Sequence, residues 1–113
     1  MIVLENEEEL IKFVADYKGM MNIPIRGFIL TAKSMHYDFV SRFFAPRFGV
    51  NEDPVTGSAH TRLIAYWNKV LDKKYMVARQ ISERGGTVYC SHNGERAMMA
   101  GKAILYSEGK IYI

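Results

Sequence analysis

The residues best suited to chemistry in this chain of 113 residues stand together in Glu52-Asp53-Pro54-Val55-Thr56-Gly57-Ser58-Ala59-His60. The segment reads as a loop that runs straight into the start of a long helix. The first N–H groups of a helix have no partner inside it and point outward. With the helix dipole they favour an anion at that end. Gly57 lets a ligand come close to the backbone, and Thr56 and Ser58 add hydroxyls. Thr56, Gly57, Ser58 and Ala59 are therefore the candidate substrate-binding residues, the amides of 57–59 forming a cradle for a carboxylate or oxyanion. Asp53 is the candidate proton-transfer group. Pro54 disfavours helical backbone at Asp53 and so holds the carboxylate in an extended stretch outside the helix. The dipole stabilises its anion while burial opposes it, which leaves both a proton donor and a passive acceptor open. The same residues also suit a plain turn, with Ser58 or Thr56 as helix cap.

The flanking elements must hold this loop. Ile2 to Leu4 reads as a short strand. Asn6 is an N-cap with Glu9 at the third helical position, a capping-box pattern, and the helix it opens should end near Tyr17 because Gly19 supplies a C-cap signal. Ile25 to Ala32 and His36 to Ala45 are strand candidates. Ser58 to Leu71 is the longest clear helix, with Ala59, Leu63, Tyr66, Trp67 and Val70 recurring at helical steps. Strands are expected at Tyr75 to Ser82, Thr87 to Ser91, Arg96 to Met99, Lys102 to Tyr106 and Lys110 to Ile113, with an Asn93-Gly94 hairpin turn. The order predicts an α+β domain: a curved, mostly antiparallel sheet around a central helix at about 58–71.

Composition narrows the function classes. The chain is 49% hydrophobic and 24% charged, with a net charge of +3, which fits one globular domain. The fifteen Lys and Arg residues are scattered, without the basic stripe that nucleic-acid binding needs. No apolar run has the length of a bilayer-spanning helix, and the N-terminus has no signal-peptide pattern. The single cysteine, Cys90, forms no internal disulfide and reads as a buried small hydrophobe, so a reducing, cytoplasmic setting is expected. His36 and His92 have no ligand-like spacing to each other or to Cys90, and no metal site or cofactor is expected. His60 suits packing or hydrogen bonding as well as catalysis. Arg42 suits either an anion or a pairing with Asp38 or Glu52. Tyr66-Trp67 reads as core, and Arg84-Gly85-Gly86 as a turn.

Ser41-Arg42-Phe43-Phe44-Ala45-Pro46, the Glu52 to His60 segment, Arg79-Gln80-Ile81-Ser82-Glu83-Arg84-Gly85-Gly86 and Gly101-Lys102-Ala103 closely resemble, in the same order, the PhzF family of phenazine biosynthesis. The resemblance covers nearly the whole chain. It implies the diaminopimelate-epimerase-like fold, in which two similar halves, each a sheet around a central helix, meet at the active site. It implies that residues 1–113 are the C-terminal half only. By resemblance Asp53 and Ser58 are catalytic positions, the Gly57 and Ser58 amides are part of the substrate-anion site, and Arg84-Gly85-Gly86 has a substrate-side role. Phenazine-pathway members isomerise a dihydro-hydroxyanthranilate by moving a proton. The family's general-base glutamate, and a histidine with it, lie in the N-terminal half, which no segment here resembles. The twelve acidic residues include no second loop-to-helix motif that could replace it. A proton-transfer isomerase wants a base and an acid around one substrate. The sequence thus reads as a PhzF-like isomerase or epimerase half-domain acting on a small carboxylate-bearing substrate. It would work as a homodimer, with the Asn51–Ala59 loops near the interface, or with a separately encoded N-terminal half. The alternatives are a non-catalytic anion-binding module that has lost the base, and a structural remnant or fragment.

Overall fold

The computed structural model describes residues 1–113. Strand β1 (Ile2–Val3) leads to helices α1 (Glu7–Lys12) and α2 (Tyr17–Met21), then to strands β2 (Phe28–Lys33) and β3 (Phe39–Phe44). A short 3-10 turn at Pro46–Phe48 precedes the long helix α3 (Gly57–Leu71), and strands β4 (Tyr75–Gln80), β5 (Gly86–Asn93) and β6 (Arg96–Ala100) complete one six-stranded sheet in chain order. β1 runs parallel to β2, and β3 to β4, while the other pairings are antiparallel. The expected α+β class and mostly antiparallel sheet are present.

Each parallel pair needs a crossover connection, and such crossovers are right-handed almost without exception. β1→β2 and β3→β4 step across the sheet in the same sense, but β3 points opposite to β2. The rule therefore sends the two connections to opposite faces. Side-chain alternation along the central strands supplies both faces with core. Leu30, Ala32, Val40 and Phe44 pack with Leu10 of α1 on one side. Ile29, Phe39, Met76, Ala78, Val88 and Cys90 pack with Ala59, Leu63, Ile64 and Trp67 of α3 on the other. Trp67 stacks on Phe39 at 5.6 Å and donates from Nε1 to the Thr31 hydroxyl at 2.9 Å. That hydroxyl donates in turn to the Val40 carbonyl at 2.6 Å, so the buried indole N–H is satisfied.

Three expectations are corrected. The first helix stops at Lys12: Phe13 turns extended, and its carbonyl and that of Leu10 accept from Arg42 Nη1 at 2.7 and 3.1 Å. A second helix restarts at Tyr17 with Asp16 as its cap, which accepts from the Gly19 amide at 3.0 Å, so Gly19 lies inside a helix rather than beyond one. The Asn6 cap stands as read, its side chain accepting from the Glu9 amide at 2.9 Å. Helix α3 is not ringed by sheet. Ala59, His60, Leu63, Ile64 and Trp67 are buried, while Ser58, Thr61, Arg62 and Lys69 face outward. The strands expected at Lys102–Tyr106 and Lys110–Ile113 do not form, and the sheet ends at β6. Ile104, Leu105, Tyr106, Ile111 and Tyr112 meet no surface and stay at least 80% exposed. A strand without a partner leaves its backbone groups to water and gains no packing. The radius of gyration, 15.6 Å, exceeds the ~13 Å of a compact chain near this length, as such a tail requires.

Trp67→Phe should lower stability by about 1–3 kcal/mol through a small void and an unmatched Thr31 hydroxyl. Adding Thr31→Val should cost less than its single effect, and urea unfolding of the four-member cycle measures that coupling.

Candidate functional site

The loop from Asn51 to Thr56 lies beyond the carboxyl ends of the parallel strands β3 and β4, and five contacts hold it there. Arg42, near the end of β3, grips Glu52 with Nε and Nη2 at 2.7 and 2.9 Å. This bidentate geometry is the strong form of the ion pair, and it raises the Arg42 pKa further above its ordinary value. The Asp53 amide donates to the Phe43 carbonyl at 3.0 Å. The Ser82 hydroxyl donates to the Pro54 carbonyl at 2.9 Å. Val55 closes directly over Gly86, where a Cβ would have no room.

The fifth contact is made by Gln80, the last residue of β4, which is fully buried. Its Oε1 accepts from the Thr56 amide at 2.9 Å. Its Nε2 donates to the Asp53 carbonyl at 2.6 Å and to the Thr56 hydroxyl at 3.2 Å. Thr56 in turn donates its hydroxyl to Asp53 Oδ2 at 2.5 Å. Thr56 occupies the N-cap position of α3, yet its side chain makes no capping bond to the helix. The capping reading of Thr56 and Ser58 thus gives way to a different arrangement. The amides of Gly57, Ser58 and Ala59 make no hydrogen bond within the chain, since the first helical bond comes from His60 to the Thr56 carbonyl. No acidic residue occupies the first turn of the helix. Three donors thus stand without a partner in the chain at the positive end of a helix of 15 residues, where the dipole favours negative charge.

The sequence-predicted residues separate into neighbouring hollows. Asp53, Thr56 and Ser58 line one of about 340 Å³, together with Phe43, Phe48 and Arg26. Ala59 lines an adjoining hollow of about 470 Å³ with Ser58, Arg26 and Arg62. Gly57 lies on the other flank of the helix start, in a separate cavity. Asp53 keeps Oδ1 free of partners in the chain, since the hydrogen bond from Thr56 goes to Oδ2. Sequence reasoning missed Gln80 and Arg26. Gln80 carries no local signal for its role, because the pairing of β3 with β4 alone brings it under the loop. Arg26 carries none either, being one scattered cation among many until the segment leading into β2 brings it to the same hollows as Ser58.

His60 is fully buried. Its Nδ1 lies 2.8 Å from the Thr56 carbonyl, which can only accept, so Nδ1 carries the proton and Nε2 is an acceptor. Nε2 has no partner, and neither has the buried Ser41 hydroxyl. Burial pushes the His60 pKa below its ordinary 6.5, against a smaller opposing effect of the Thr56 bond. Arg42 is committed to Glu52, and Asp38 instead pairs with Lys73 at 2.5 Å. Cys90 is buried, and burial pushes its thiol up to about 12. No three His, Cys, Asp or Glu side chains gather as a metal site. No helix is long and apolar enough to cross a membrane.

A mixed sheet flanked by a long helix, with three unpaired amides and one carboxylate at the helix start, frames the candidate site. The family model described as phenazine biosynthesis-like protein matches residues 1–109, and the chain belongs to that family. It is 48% identical over 111 residues to a Pseudomonas aeruginosa protein named as an uncharacterized isomerase, covering 98% of this chain and 42% of that protein. It is 47% identical over 94 residues to mouse phenazine biosynthesis-like domain-containing protein 1, covering 77% of this chain and 33% of that one. The crystal structure of a PhzF family protein from Enterococcus faecalis superposes with a TM-score of 0.88 at 40% identity, covering 98% of this chain and 43% of that one. The chain therefore spans less than half the length of these relatives.

Gln80→Met should cost about 2–4 kcal/mol, since it orphans the Thr56 amide and the Asp53 carbonyl. Amide hydrogen exchange should speed up at Thr56 before it does so in the body of α3. The lowered His60 pKa means that the unfolded chain takes up the proton more readily than the folded one. This contribution to stability is present above about pH 6.5 and is lost as pH falls below it. Thermal scans at about pH 7.5 and about pH 5 should show the loss, and His60→Gln should shrink the difference.

Proposed function

We propose that this chain supplies the acid-and-anion side of a proton-transfer isomerase site. The three free amides at the start of α3, beside a carboxylate held by Gln80 and Thr56, carry this reading. A carboxylate of the substrate would sit on the Ser58 and Ala59 amides, where the helix dipole favours negative charge, with Arg26 at its edge. Asp53, through the free Oδ1, would give or receive the proton at an adjacent carbon, and the Ser58 hydroxyl would orient the substrate. Phe43 and Phe48 offer apolar walls to a ring. The resemblance suggests a dihydro-hydroxyanthranilate-type substrate.

Proton transfer between two positions wants a second acid–base group, and Asp53 is the only carboxylate lining this hollow. The partner group would come from a second polypeptide: another copy of this chain in a cytoplasmic homodimer, or a chain corresponding to the rest of its relatives. The apolar tail favours association, since exposed apolar area of this kind marks interfaces. A two-fold operator would set the Asn51–Ala59 loops across a shared cleft. The lone carboxylate equally supports a second reading, a small-anion binding module without turnover.

Exchange of substrate C–H for deuterium separates the two readings. The chain alone should give little exchange. Mixed with a polypeptide of the N-terminal half of a relative, it should gain activity that Asp53→Asn lowers by about 100-fold or more, the usual weight of a general acid or base. Ser58→Ala should weaken substrate binding by about tenfold, the weight of one good hydrogen bond. Anion binding with no exchange in any mixture would favour the binding module. Sedimentation of the purified chain tests self-pairing, and a clean monomer at micromolar concentration rejects it.

A further inference from the structure

The cavity on the Gly57 flank of α3 is chemically unlike the Asp53 hollow. It encloses about 690 Å³ between the start of α3, the turn before β5 and the segment after β6. Arg79, Arg84 and Lys102 all line it, and no carboxylate does. The ion pairs of the chain are Lys12 with Glu8, Arg42 with Glu52, and Lys73 with Asp38, so none of these three cations is neutralised. Like charges brought into one concavity repel one another, and the low-dielectric walls strengthen their joint field. An arrangement of this kind is relieved by a counter-ion.

The local structure holds Arg79 in place. Arg79 Nη1 donates to the Thr87 hydroxyl at 3.3 Å, which leaves its other guanidinium donors free. Nη2 of the same guanidinium lies 2.9 Å from where a Cβ on Gly85 would stand, and the Gln80 carbonyl lies 3.0 Å from that point. Gly85 also has φ +63°, which L side chains rarely adopt. Its amide is fixed by the Ser82 hydroxyl at 3.0 Å. The Arg84-Gly85-Gly86 turn is thus shaped to let the Arg79 guanidinium lie across it, and Arg84 lines the same cavity. His60 lines the cavity from the helix side, and it is the fully buried side chain whose Nε2 has no partner.

We propose that this cavity is a second anion-binding site, independent of the Asp53 hollow, that takes a small oxyanion between Arg79, Arg84 and Lys102. The planar donors of two arginines suit the oxygens of a phosphate or carboxylate group, and Lys102 adds a mobile point charge. The two hollows share only the start of α3, so each reports separately. Occupancy here would tie the otherwise free segment after β6 to the turn before β5.

Titration of the full chain with inorganic phosphate, followed by backbone amide and histidine ring signals, tests the site. Saturable shifts at Gly85, Gly86, Thr87 and the His60 ring are expected, with chloride at equal ionic strength giving none. Lys102→Ala lies in an exposed stretch without secondary structure, so it should fold normally and weaken phosphate binding several-fold. Arg84→Gln should weaken it by about tenfold, the weight of a charge-assisted bond. The Ser58 and Ala59 amides should respond to neither substitution. Shifts confined to Ser58 and Ala59, shifts that chloride reproduces, or binding indifferent to both substitutions would each overturn the proposal, while leaving the Asp53 reading to its own test.

Discussion

The primary amide of Gln80 is the constraint on which the site depends. One buried group offers an acceptor and two donors, and the loop presents a complementary amide, carbonyl and hydroxyl within reach of it. A glutamate would lose the donors and bury a charge, and a leucine would leave two backbone groups orphaned at about 1–3 kcal/mol each. The network also decides what the Thr56 hydroxyl does. Drawn toward Gln80 and Asp53, it is withheld from capping α3, and the first amides of the helix stay without a partner in the chain. Stability of the loop and the uncapped start of α3 thus share one cause.

Topology explains why the site is where it is. Parallel strands connected through a helix leave their carboxyl ends open, and ligands of α/β sheets gather there. β3 and β4 are such a pair, with α3 between them in sequence. Phe43 and Arg42 near the end of β3, and Gln80 at the end of β4, reach the loop together. The second crossover, through α1 and α2, covers the opposite face and lends the loop one more anchor. Arg42 satisfies carbonyls at the end of α1 with one arm and Glu52 with the other, so the two layers brace a single segment.

Much of this was legible in the chain. Helical steps from Ser58 to Leu71 announced α3, the Asn93-Gly94 pair marked the β5–β6 hairpin, and Asn6 with Glu9 marked the start of α1. Pro54 and Gly57 identified the loop, and the motif carried the family. Contacts made across the sheet were not legible. Gln80 lies 24 residues beyond Thr56, and only the β3–β4 register brings them together. Arg26 had no periodicity to betray it. The two last strands were misread because their sequence does favour extended backbone, and alternation cannot say whether a neighbour is there to receive it. The break after Lys12 escaped notice because Arg42, not a local residue, takes up the carbonyls at the helix end.

The unpartnered tail has a consequence for how the chain behaves in bulk. β6 ends the sheet with a row of open backbone groups, and sheets usually guard such edges with proline, charge or cover. Here the guard is one arginine at the head of the strand, Arg96, followed by Ala97, Met98 and Met99. Within the same molecule, Ile104-Leu105-Tyr106 and Ile111-Tyr112-Ile113 carry the β-forming, uncharged composition that stacks into cross-β assemblies. Donor and acceptor of an open-ended polymer are thus present on one chain, and colloidal stability falls to the net charge of +3 and to the charged residues Lys102, Glu108 and Lys110 set among the apolar triplets. Salt that screens those charges brings the chain closer to precipitation.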